Sequence, residues 1–214
     1  MNFLPEELDN YIHLHCEEEP KLLKELNHET WEKVINPRML SGHVQGRVLS
    51  MLSHMIKPLN ILEIGTYTGY SAICLAEGLK QNGTIDTIDI NEELENIAKR
   101  YFIKSGFDQQ INLIHGDATV IIPTLNKKYD IVFIDADKEN YCLYYDLVFD
   151  RLNTGGYIIA DNVLWSGKVI QKIDPEDLDT QAILQFNKKV QEDKRVQNVL
   201  FPVRDGLMVI RKVA

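Results

Sequence analysis

From residue 60 onward, short apolar runs alternate with longer segments in which apolar residues recur at helical spacing. The runs predict strands at 60–64, 84–89, 111–115, 130–134 and 156–161. The segments between them predict helices at 69–81, 91–105, 118–125 and 139–151. Because strands that alternate with helices form parallel sheets, we expect a mostly parallel sheet covered by helices on both faces.

The two ends of the chain follow different patterns. Residues 6–35 are rich in Glu, Lys and Leu and predict one or two amphipathic helices, interrupted near Pro20. Near the other end, a helix at 177–193 precedes β-rich runs at 196–201 and 207–211. Asp205-Gly206 lies between those two runs and favours a hairpin, and therefore an antiparallel pair of strands.

These elements predict an α/β fold with a Rossmann-like, seven-stranded and mostly parallel sheet, a C-terminal antiparallel hairpin and an N-terminal helical extension. A chain of 214 residues is long enough for one substantial core and too short for two comfortable domains. We therefore expect one domain, 1–214, with helices and a loop over 1–58 and the α/β core over 59–214.

One turn in this pattern is typical of a ligand site. The run from Asn60 to Ser71 passes from strand to helix through Gly65 and Gly69. Glycine permits a positive φ and brings no Cβ, so such a turn can approach a bound molecule closely. An ordinary strand-to-helix connection needs at most one glycine and has no use for Glu63 at the end of the strand, so the ligand site is the favoured interpretation.

Ligands of open parallel sheets bind beyond the carboxyl ends of the strands, and several predicted strands end in polar residues. Asp89 ends the second strand, 26 residues after Glu63, where a carboxylate can accept hydrogen bonds from both hydroxyls of a ribose. The glycines do not follow the Gly-x-Gly-x-x-Gly pattern that binds a pyrophosphate. A nucleoside cofactor without a pyrophosphate fits better, and S-adenosylmethionine is the obvious one.

Composition and charge narrow the function classes. The net charge of -9 argues against avid binding to nucleic acid, although the late cluster of Lys188, Lys189, Lys194 and Arg195 leaves a local basic patch open. The three cysteines are odd in number and widely spaced, so they indicate free thiols in a reducing compartment. With neither a secretory signal pattern nor an apolar run of membrane-spanning length, the sequence predicts a soluble cytoplasmic protein.

Three runs together carry a resemblance to a known family: Ile61 to Ser71 with Asp89, Phe133 to Lys138, and Ala160 to Gly167. Over residues 36–212 the chain resembles the cation-dependent O-methyltransferases of the catechol and caffeoyl-coenzyme A type, a group of class I S-adenosylmethionine-dependent enzymes. The resemblance implies a methyltransferase domain whose cofactor is surrounded by Met39, Ser41, Glu63, Gly65, Tyr67, Ser71, Asp89, Ala118 and Asp135.

The same resemblance implies that Asp135, Asp161 and Asn162 are metal ligands and that Lys138 is the catalytic lysine. Carboxylate and amide oxygens are hard donors that suit Mg²⁺ best and also Mn²⁺ or Ca²⁺. Lys138, close to that ion, would accept the proton of the reacting hydroxyl. Taken singly, Asp161-Asn162 is also compatible with a plain strand-ending turn, and Lys138 with a solvated helix start.

The substrate side is less closely determined. We expect Arg38, Trp165 and Arg204 near the substrate, although Trp165 is equally compatible with a buried loop anchor. Animal catechol methyltransferases carry a carboxylate just before the Asp-Gly of the last hairpin, where this chain has Arg204, so it looks closer to the bacterial and caffeoyl-type branch. The N-terminal helices would contribute to a homodimer interface or cover the active site, as in relatives.

The leading hypothesis is therefore methyl transfer to a hydroxyl of a small molecule with vicinal oxygens, such as a catechol or hydroxycinnamoyl compound. A second hypothesis keeps the chemistry and changes the acceptor to a hydroxyuridine in tRNA. A third, an NAD-dependent oxidoreductase or a nucleotide-binding module, is disfavoured by the missing third glycine and by the set Asp135, Asp161 and Asn162.

Overall fold

The computed structural model describes residues 4–214, which contain eight α-helices and seven strands. The helices are α1 (Glu6–Leu14), α2 (Lys21–Lys33), α3 (Gly42–Ile56), α4 (Tyr70–Ala76), α5 (Glu95–Ser105), α6 (Ala118–Ile121), α7 (Tyr141–Phe149) and α8 (Leu178–Glu192). The strands are β1 (Asn60–Ile64), β2 (Thr84–Asp89), β3 (Ile111–His115), β4 (Tyr129–Ile134), β5 (Leu152–Ala160), β6 (Val196–Phe201) and β7 (Leu207–Lys212). Among the described residues, 4–117 and 118–214 form two compact units.

The strand order is β3-β2-β1-β4-β5-β7-β6, which confirms the predicted seven-stranded α/β fold. In residues 4–117, β1 pairs with β2 and β2 with β3, all parallel. In residues 118–214, β4 and β5 are parallel, while β7 is antiparallel to β5 and to β6. The antiparallel hairpin predicted from Asp205-Gly206 is confirmed, and the division at residues 58 and 59 stays a prediction.

Helix α4 is shorter than predicted, since it ends at Ala76 rather than near residue 81. Gly78, just beyond it, lies against the backbone of α3: a Cβ there would come within 2.3 Å of the Ser53 carbonyl carbon. The Ser53 hydroxyl also donates to the carbonyl of Leu75, 2.6 Å away. These contacts hold the end of α4 against α3, and apolar periodicity alone cannot reveal them.

The N-terminal helices differ in how deeply they are buried. No residue of α1 is buried, and Leu8, Tyr11 and Leu14 are exposed. Helix α2 buries Leu23 and Leu26. That the N-terminal helices contribute to a homodimer interface or cover the active site stays a prediction. Between residues 4 and 214, no helix combines the length and the apolar character needed to cross a membrane.

Ser41 lies directly before α3. A serine at this position is a common helix cap, but the Ser41 side chain makes no capping hydrogen bond to the helix. Gly42, the first residue of the helix, has φ 73, in the left-handed region that glycine tolerates. Ser41 is buried, with 5% of its surface exposed.

Glu29 clamps α2 to α5 and makes stability depend on pH. Its carboxylate lies 2.8 Å from Lys33 Nζ and 2.5 Å from Arg100 Nη2, and the Tyr101 hydroxyl donates to it at 2.9 Å. The hydrogen bond from Lys33, helped by Tyr101 and Arg100, outweighs desolvation and lowers the Glu29 pKa from 4.5 to about 2. Because the folded pKa is depressed, this stabilisation is complete above about pH 4.5 and is lost as the pH falls towards about 2.

Glu29→Gln is therefore expected to lower the free energy of unfolding by about 1 kcal/mol near neutral pH, the contribution of a hydrogen bond to a charged group. Urea unfolding of the variant and the wild type across the acid range would measure it. The difference should shrink as the pH falls below 4.5. Glu32→Gln on the same helix is the control, since Glu32 is exposed and its ion pair with His28 is exposed as well. A difference that stays constant down to pH 2 would contradict the clamp.

Candidate active site

The glycine turn between β1 and α4 has the backbone that its sequence predicts. Gly65 and Gly69 have φ values of 100 and 90. A Cβ on Gly69 would also come within 2.6 Å of the Phe102 ring, so this position needs glycine for packing as well as for its backbone. Tyr67 between them also has a positive φ of 51, which is uncommon for a bulky residue and indicates local strain.

Side-chain hydroxyl groups connect the buried carboxylate of Glu63 to this turn. Glu63 is fully buried and accepts hydrogen bonds from Ser71 Oγ, at 2.6 Å, and from Thr87 Oγ1. Thr87 is also bonded to Thr66 Oγ1 at 2.6 Å. Thr87 lies beside Glu63 in the register of β1 and β2. Two hydroxyl donors therefore hold the carboxylate in one orientation and connect it to the turn.

Asp89 at the end of β2 is held by two backbone amides. Tyr67 N donates to its Oδ2 at 2.6 Å, and Asn91 N donates to its Oδ1 at 2.9 Å. A carboxylate has about four lone-pair positions, so each oxygen keeps capacity for a further donor. The carboxylate is thus fixed in place while it can still accept hydrogen bonds from a ligand.

Asp89 and Tyr67 line an open pocket in residues 4–117, together with Thr66, Asn91, Glu95, Ala98, Leu113 and His115. The sequence prediction named the first two and missed the other six. Asn91 and His115 lie at or just beyond the ends of β2 and β3, so the rule that located Asp89 could also have located them. Glu95 and Ala98 are on α5, and no sequence signal separates them from an ordinary helix face.

The loop before α3 is tied to the same turn. The Tyr67 hydroxyl donates to the carbonyl of Asn36 at 2.9 Å. Beyond Asn36, a short 3-10 helix (Pro37–Met39) carries exposed Arg38 and Met39. Of the predicted loop residues, only Ser41 is buried.

A second cluster lies in residues 118–214, where β4 and β5 end side by side. Ile134 pairs with Ala160 in the parallel register, so Asp135 and Asp161 follow directly at the same level of the sheet. Asp161 N donates to the carbonyl of Ile134 at 2.9 Å, which continues the ladder to this point. Asp161 is 2% exposed, and its Oδ1 accepts a hydrogen bond from Asn162 N at 2.7 Å. The predicted pair of carboxylates is therefore brought together.

Lys138 joins this second cluster from the 3-10 turn before α7. It is buried, its Nζ lies 3.3 Å from Asp135 Oδ1, and it donates to Tyr141 Oη at 2.6 Å. Tyr141 Oη donates in turn to the carbonyl of Asp161 at 3.0 Å. Burial raises the pKa of Tyr141 well above its usual value, and the charges of Asp135 and Asp161 raise it further. Tyr141 therefore remains a neutral phenol.

The loop after β5 continues the cluster with an unusual backbone. Asn162, Trp165 and Ser166 have φ values of 60, 46 and 53, which are uncommon for residues other than glycine. Trp165 is half-buried, and its ring lies 5.7 Å from Lys138 Nζ. Within residues 4–214, its buried Nε1 has no hydrogen-bond partner. Backbone strain of this kind is often retained at functional sites.

The hairpin between β6 and β7 holds that loop in place. Leu164 N donates to the carbonyl of Asp205 at 2.9 Å, and Ser166 N donates to Asp205 Oδ1 at 2.6 Å. Burial raises the pKa of Asp205, against the lowering effect of the bond from Ser166. Arg204, the preceding residue, is exposed and has φ 48. The structure therefore places Arg204 beside the residue that anchors the loop.

The donor set Asp135, Asp161 and Asn162 suits a hard divalent cation, because it offers two carboxylates and one amide oxygen. In the part of the chain from residue 4 to 214, no group of three or more His, Cys, Asp or Glu side chains could hold a metal ion. The present set contains only two such residues, and its third member is an asparagine.

Ala118, the remaining predicted cofactor residue, is buried at the start of α6.

Comparison with known proteins assigns the chain to a family. The profile described as O-methyltransferase matches residues 13–213. The chain is 35% identical over 204 residues to tapetum-specific methyltransferase 1 of Arabidopsis thaliana, covering 91% of this chain and 88% of that protein. It is 32% identical over 209 residues to caffeoyl-CoA O-methyltransferase of Medicago sativa, covering 91% and 83%.

Solved structures of methyltransferases support the same family assignment. A Podospora anserina methyltransferase bound to SAH has a TM-score of 0.88 and 28% identity, over 100% of both chains. An O-methyltransferase from Bacillus cereus in complex with SAH has a TM-score of 0.89 and 26% identity, over 96% of this chain and 97% of that one. The chain therefore belongs to the O-methyltransferase family and is an S-adenosylmethionine-dependent O-methyltransferase.

Proposed function

We propose that the protein transfers a methyl group from S-adenosylmethionine to a hydroxyl of a small molecule with two adjacent oxygens, and that the reaction depends on a divalent cation. One observation carries this proposal: the register of β4 and β5 places Asp135 and Asp161 at the same level, with buried Lys138 beside Asp135. Two carboxylates and a lysine on neighbouring strand ends form a constellation suited to activating a hydroxyl.

The cofactor would bind to the cluster in residues 4–117. Asp89 is fixed by two backbone amides and keeps lone pairs for the ribose hydroxyls. Glu63, held by Ser71 and Thr87, would maintain the glycine turn that the cofactor would approach. The sulfonium of S-adenosylmethionine supplies an electrophilic methyl group.

Asp135, Asp161 and Asn162 would hold the cation. Once bound, it would lower the pKa of a substrate hydroxyl and orient the acceptor. Three protein oxygens are about half of the six that Mg²⁺ accepts, which leaves room for water and for the two adjacent oxygens of a catechol-like substrate. Lys138 would take the hydroxyl proton on Nζ after releasing one of its own ammonium protons to solvent.

In the transfer step, the acceptor oxygen forms a bond to the methyl carbon as the carbon–sulfur bond breaks and the electron pair remains on sulfur. The residues of the chain contribute positioning and charge rather than a covalent intermediate. Trp165 is suited to contact the substrate, because its buried Nε1 has no hydrogen-bond partner among residues 4–214. An oxygen of the substrate would satisfy that donor.

Three cations of the late basic cluster lie beside carboxylates, and this favours a small acceptor over tRNA. Lys189 Nζ lies 2.6 Å from Asp146, and Arg195 Nη2 lies 2.6 Å from Asp193. Lys188 Nζ lies 3.9 Å from Glu192. A carboxylate beside each of these cations offsets the local positive potential that would attract phosphate groups. The relatives called caffeoyl-CoA O-methyltransferases support a hydroxycinnamoyl or catechol acceptor.

The test is an assay with S-adenosylmethionine labelled on the methyl group. The full-length protein is incubated separately with catechol, a caffeoyl thioester and bulk tRNA, each with and without EDTA. We expect label in the two diol compounds and none in tRNA, and we expect EDTA to stop the transfer. Label in tRNA alone would replace the proposed acceptor, and transfer unaffected by EDTA would overturn the role of the cation.

Thr87→Val tests the cofactor half of the proposal. The change removes a donor to buried Glu63 and the bond to Thr66, while the side chain keeps its shape. We expect the affinity for S-adenosylmethionine to fall about tenfold, the effect of losing one hydrogen bond to a charged group. Titration calorimetry measures it, and Thr87→Ser, which retains the hydroxyl, should bind like the wild type. Equal weakening in both variants would contradict a role for the hydroxyl.

A further inference from the structure

We propose that Tyr141 is a positioning residue, whose hydroxyl fixes the side chain of Lys138 in the orientation needed for proton transfer. The inference rests on the proposed function, which makes Lys138 the base. It adds a residue of α7 that the sequence gives no reason to choose. Tyr141 does not touch the reacting atoms in this account; it acts through Lys138.

Tyr141 Oη is the point where three parts of this second cluster meet. It accepts a hydrogen bond from Lys138 Nζ at 2.6 Å and donates to the carbonyl of Asp161 at 3.0 Å. A second carbonyl, that of Ile134, lies 3.4 Å away. The hydroxyl therefore connects the lysine to the ends of both β4 and β5.

The single proton of the phenol fixes the direction of these bonds. Backbone carbonyls can only accept, so the proton of Tyr141 points to Asp161 O or Ile134 O, and a lone pair of Oη faces Lys138. Lys138 Nζ then donates one hydrogen bond to Tyr141 Oη and one to Asp135 Oδ1. These two hydrogen bonds define the position of the lysine ammonium group, which otherwise rotates freely at the end of a four-carbon chain.

The phenol ring is itself held firmly, as a positioning residue requires. Tyr141 is fully buried, and its ring packs edge-on against Phe186 with centroids 5.4 Å apart. Lys138 Nζ also lies 4.7 Å from the centre of the Tyr141 ring. A rigid neighbour of this kind keeps a catalytic group in place before the substrate arrives.

Tyr141→Phe removes only the hydroxyl. The first readout needs no turnover: a heteronuclear NMR correlation of the lysine ammonium groups, with the Lys138 signal assigned by its loss in Lys138→Arg. A buried, hydrogen-bonded ammonium exchanges its protons with water slowly, so the wild type should give a signal. We expect the signal to weaken or disappear in Tyr141→Phe. A signal of unchanged position and intensity would overturn the proposal.

The second readout is steady-state kinetics with a diol acceptor. We expect kcat to fall about tenfold in Tyr141→Phe, while KM for S-adenosylmethionine stays within about twofold, because the hydroxyl orients the base and does not bind the cofactor. The matched control is Tyr145→Phe on the same helix. Tyr145, one helical turn after Tyr141, is also fully buried, and its hydroxyl donates to the carboxylate of Asp193 at 2.9 Å.

The control separates a structural effect from positioning. Tyr145→Phe should retain kcat and the Lys138 signal even if its melting temperature falls as much as that of Tyr141→Phe. Equal losses of kcat in both variants would overturn the proposal. If the NMR effect appears but the wild type transfers no methyl group to any acceptor, the contact between Tyr141 and Lys138 stands and the proposed function fails.

Discussion

Asp161→Asn is expected to reduce methyl transfer about a thousandfold while leaving the protein folded, since it removes one of the two charges proposed to hold the cation. The substitution retains a carbonyl oxygen at Oδ1, which can still accept the hydrogen bond from Asn162 N. The melting temperature should therefore change by only a few degrees. Initial rates at saturating S-adenosylmethionine, measured over a range of Mg²⁺ concentrations, test this, and added Mg²⁺ should not restore the wild-type rate.

Asp137→Asn is the matched control for this prediction. Asp137 follows the same strand, two residues after Asp135, but its side chain is exposed and accepts hydrogen bonds from Tyr144 and Asn140 at 2.5 and 2.6 Å. We expect near-normal activity in this variant. A wild-type rate in Asp161→Asn would show that the carboxylate holds no catalytic ion.

Lys138→Met is expected to lower kcat about a hundredfold or more, the usual contribution of a positioned general base. Methionine has nearly the same length and fills the same space, so the effect reports the loss of the amine. Binding of S-adenosylmethionine should be almost unchanged, because the proposed cofactor contacts come from residues such as Glu63 and Asp89. Steady-state kinetics with a diol acceptor and calorimetry with the cofactor measure the two effects separately.

Lys189→Met provides the control for Lys138→Met. Lys189 is a half-buried lysine of α8 that pairs with Asp146, and its loss should leave kcat within about twofold of the wild type. If Lys138→Met keeps the wild-type kcat near neutral pH, Lys138 is not the base. Weaker cofactor binding with an unchanged kcat would instead assign the lysine to the cofactor site.

The bounds of several strands could be predicted closely from sequence. Strands β1, β2, β3 and β6 have the predicted residues, because each is a short β-rich run with turn residues or helical pattern on either side. Strand β5 begins at Leu152, four residues before the predicted start. Gly155 lies within the added segment, next to Gly156, and such a pair of glycines is typical of a turn rather than of a strand.

Helix ends were harder to predict, because tertiary contacts decide them. Helix α4 ends at Ala76 where the chain meets α3, and α6 gives way to a 3-10 turn at Ile122–Thr124 that contains Pro123. The proline explains the second case, since its ring restricts the residue before it and prevents the helix from continuing. The first depends on the close approach of Gly78 to Ser53.

In the candidate site, too, some residues could be predicted from sequence and others depend on tertiary contacts. Asp89, Asp135 and Asp161 could be found because polar residues at the ends of buried strands have no role in the core. Thr87 and Tyr141 could not, since a β-branched residue within a strand and an aromatic residue on an apolar helix are typical core residues. The register that pairs Thr87 with Glu63, and the helical turn that brings Tyr141 to Lys138, exist only in the folded chain.

The central claim is that methyl transfer by this protein requires a divalent cation held by Asp135, Asp161 and Asn162. The most direct test uses protein treated with EDTA and then freed of the chelator, with methyl-labelled S-adenosylmethionine and a catechol acceptor. We expect no transfer to the acceptor until Mg²⁺ is added back, and no recovery in Asp161→Asn. Full activity of the metal-free wild type would contradict it.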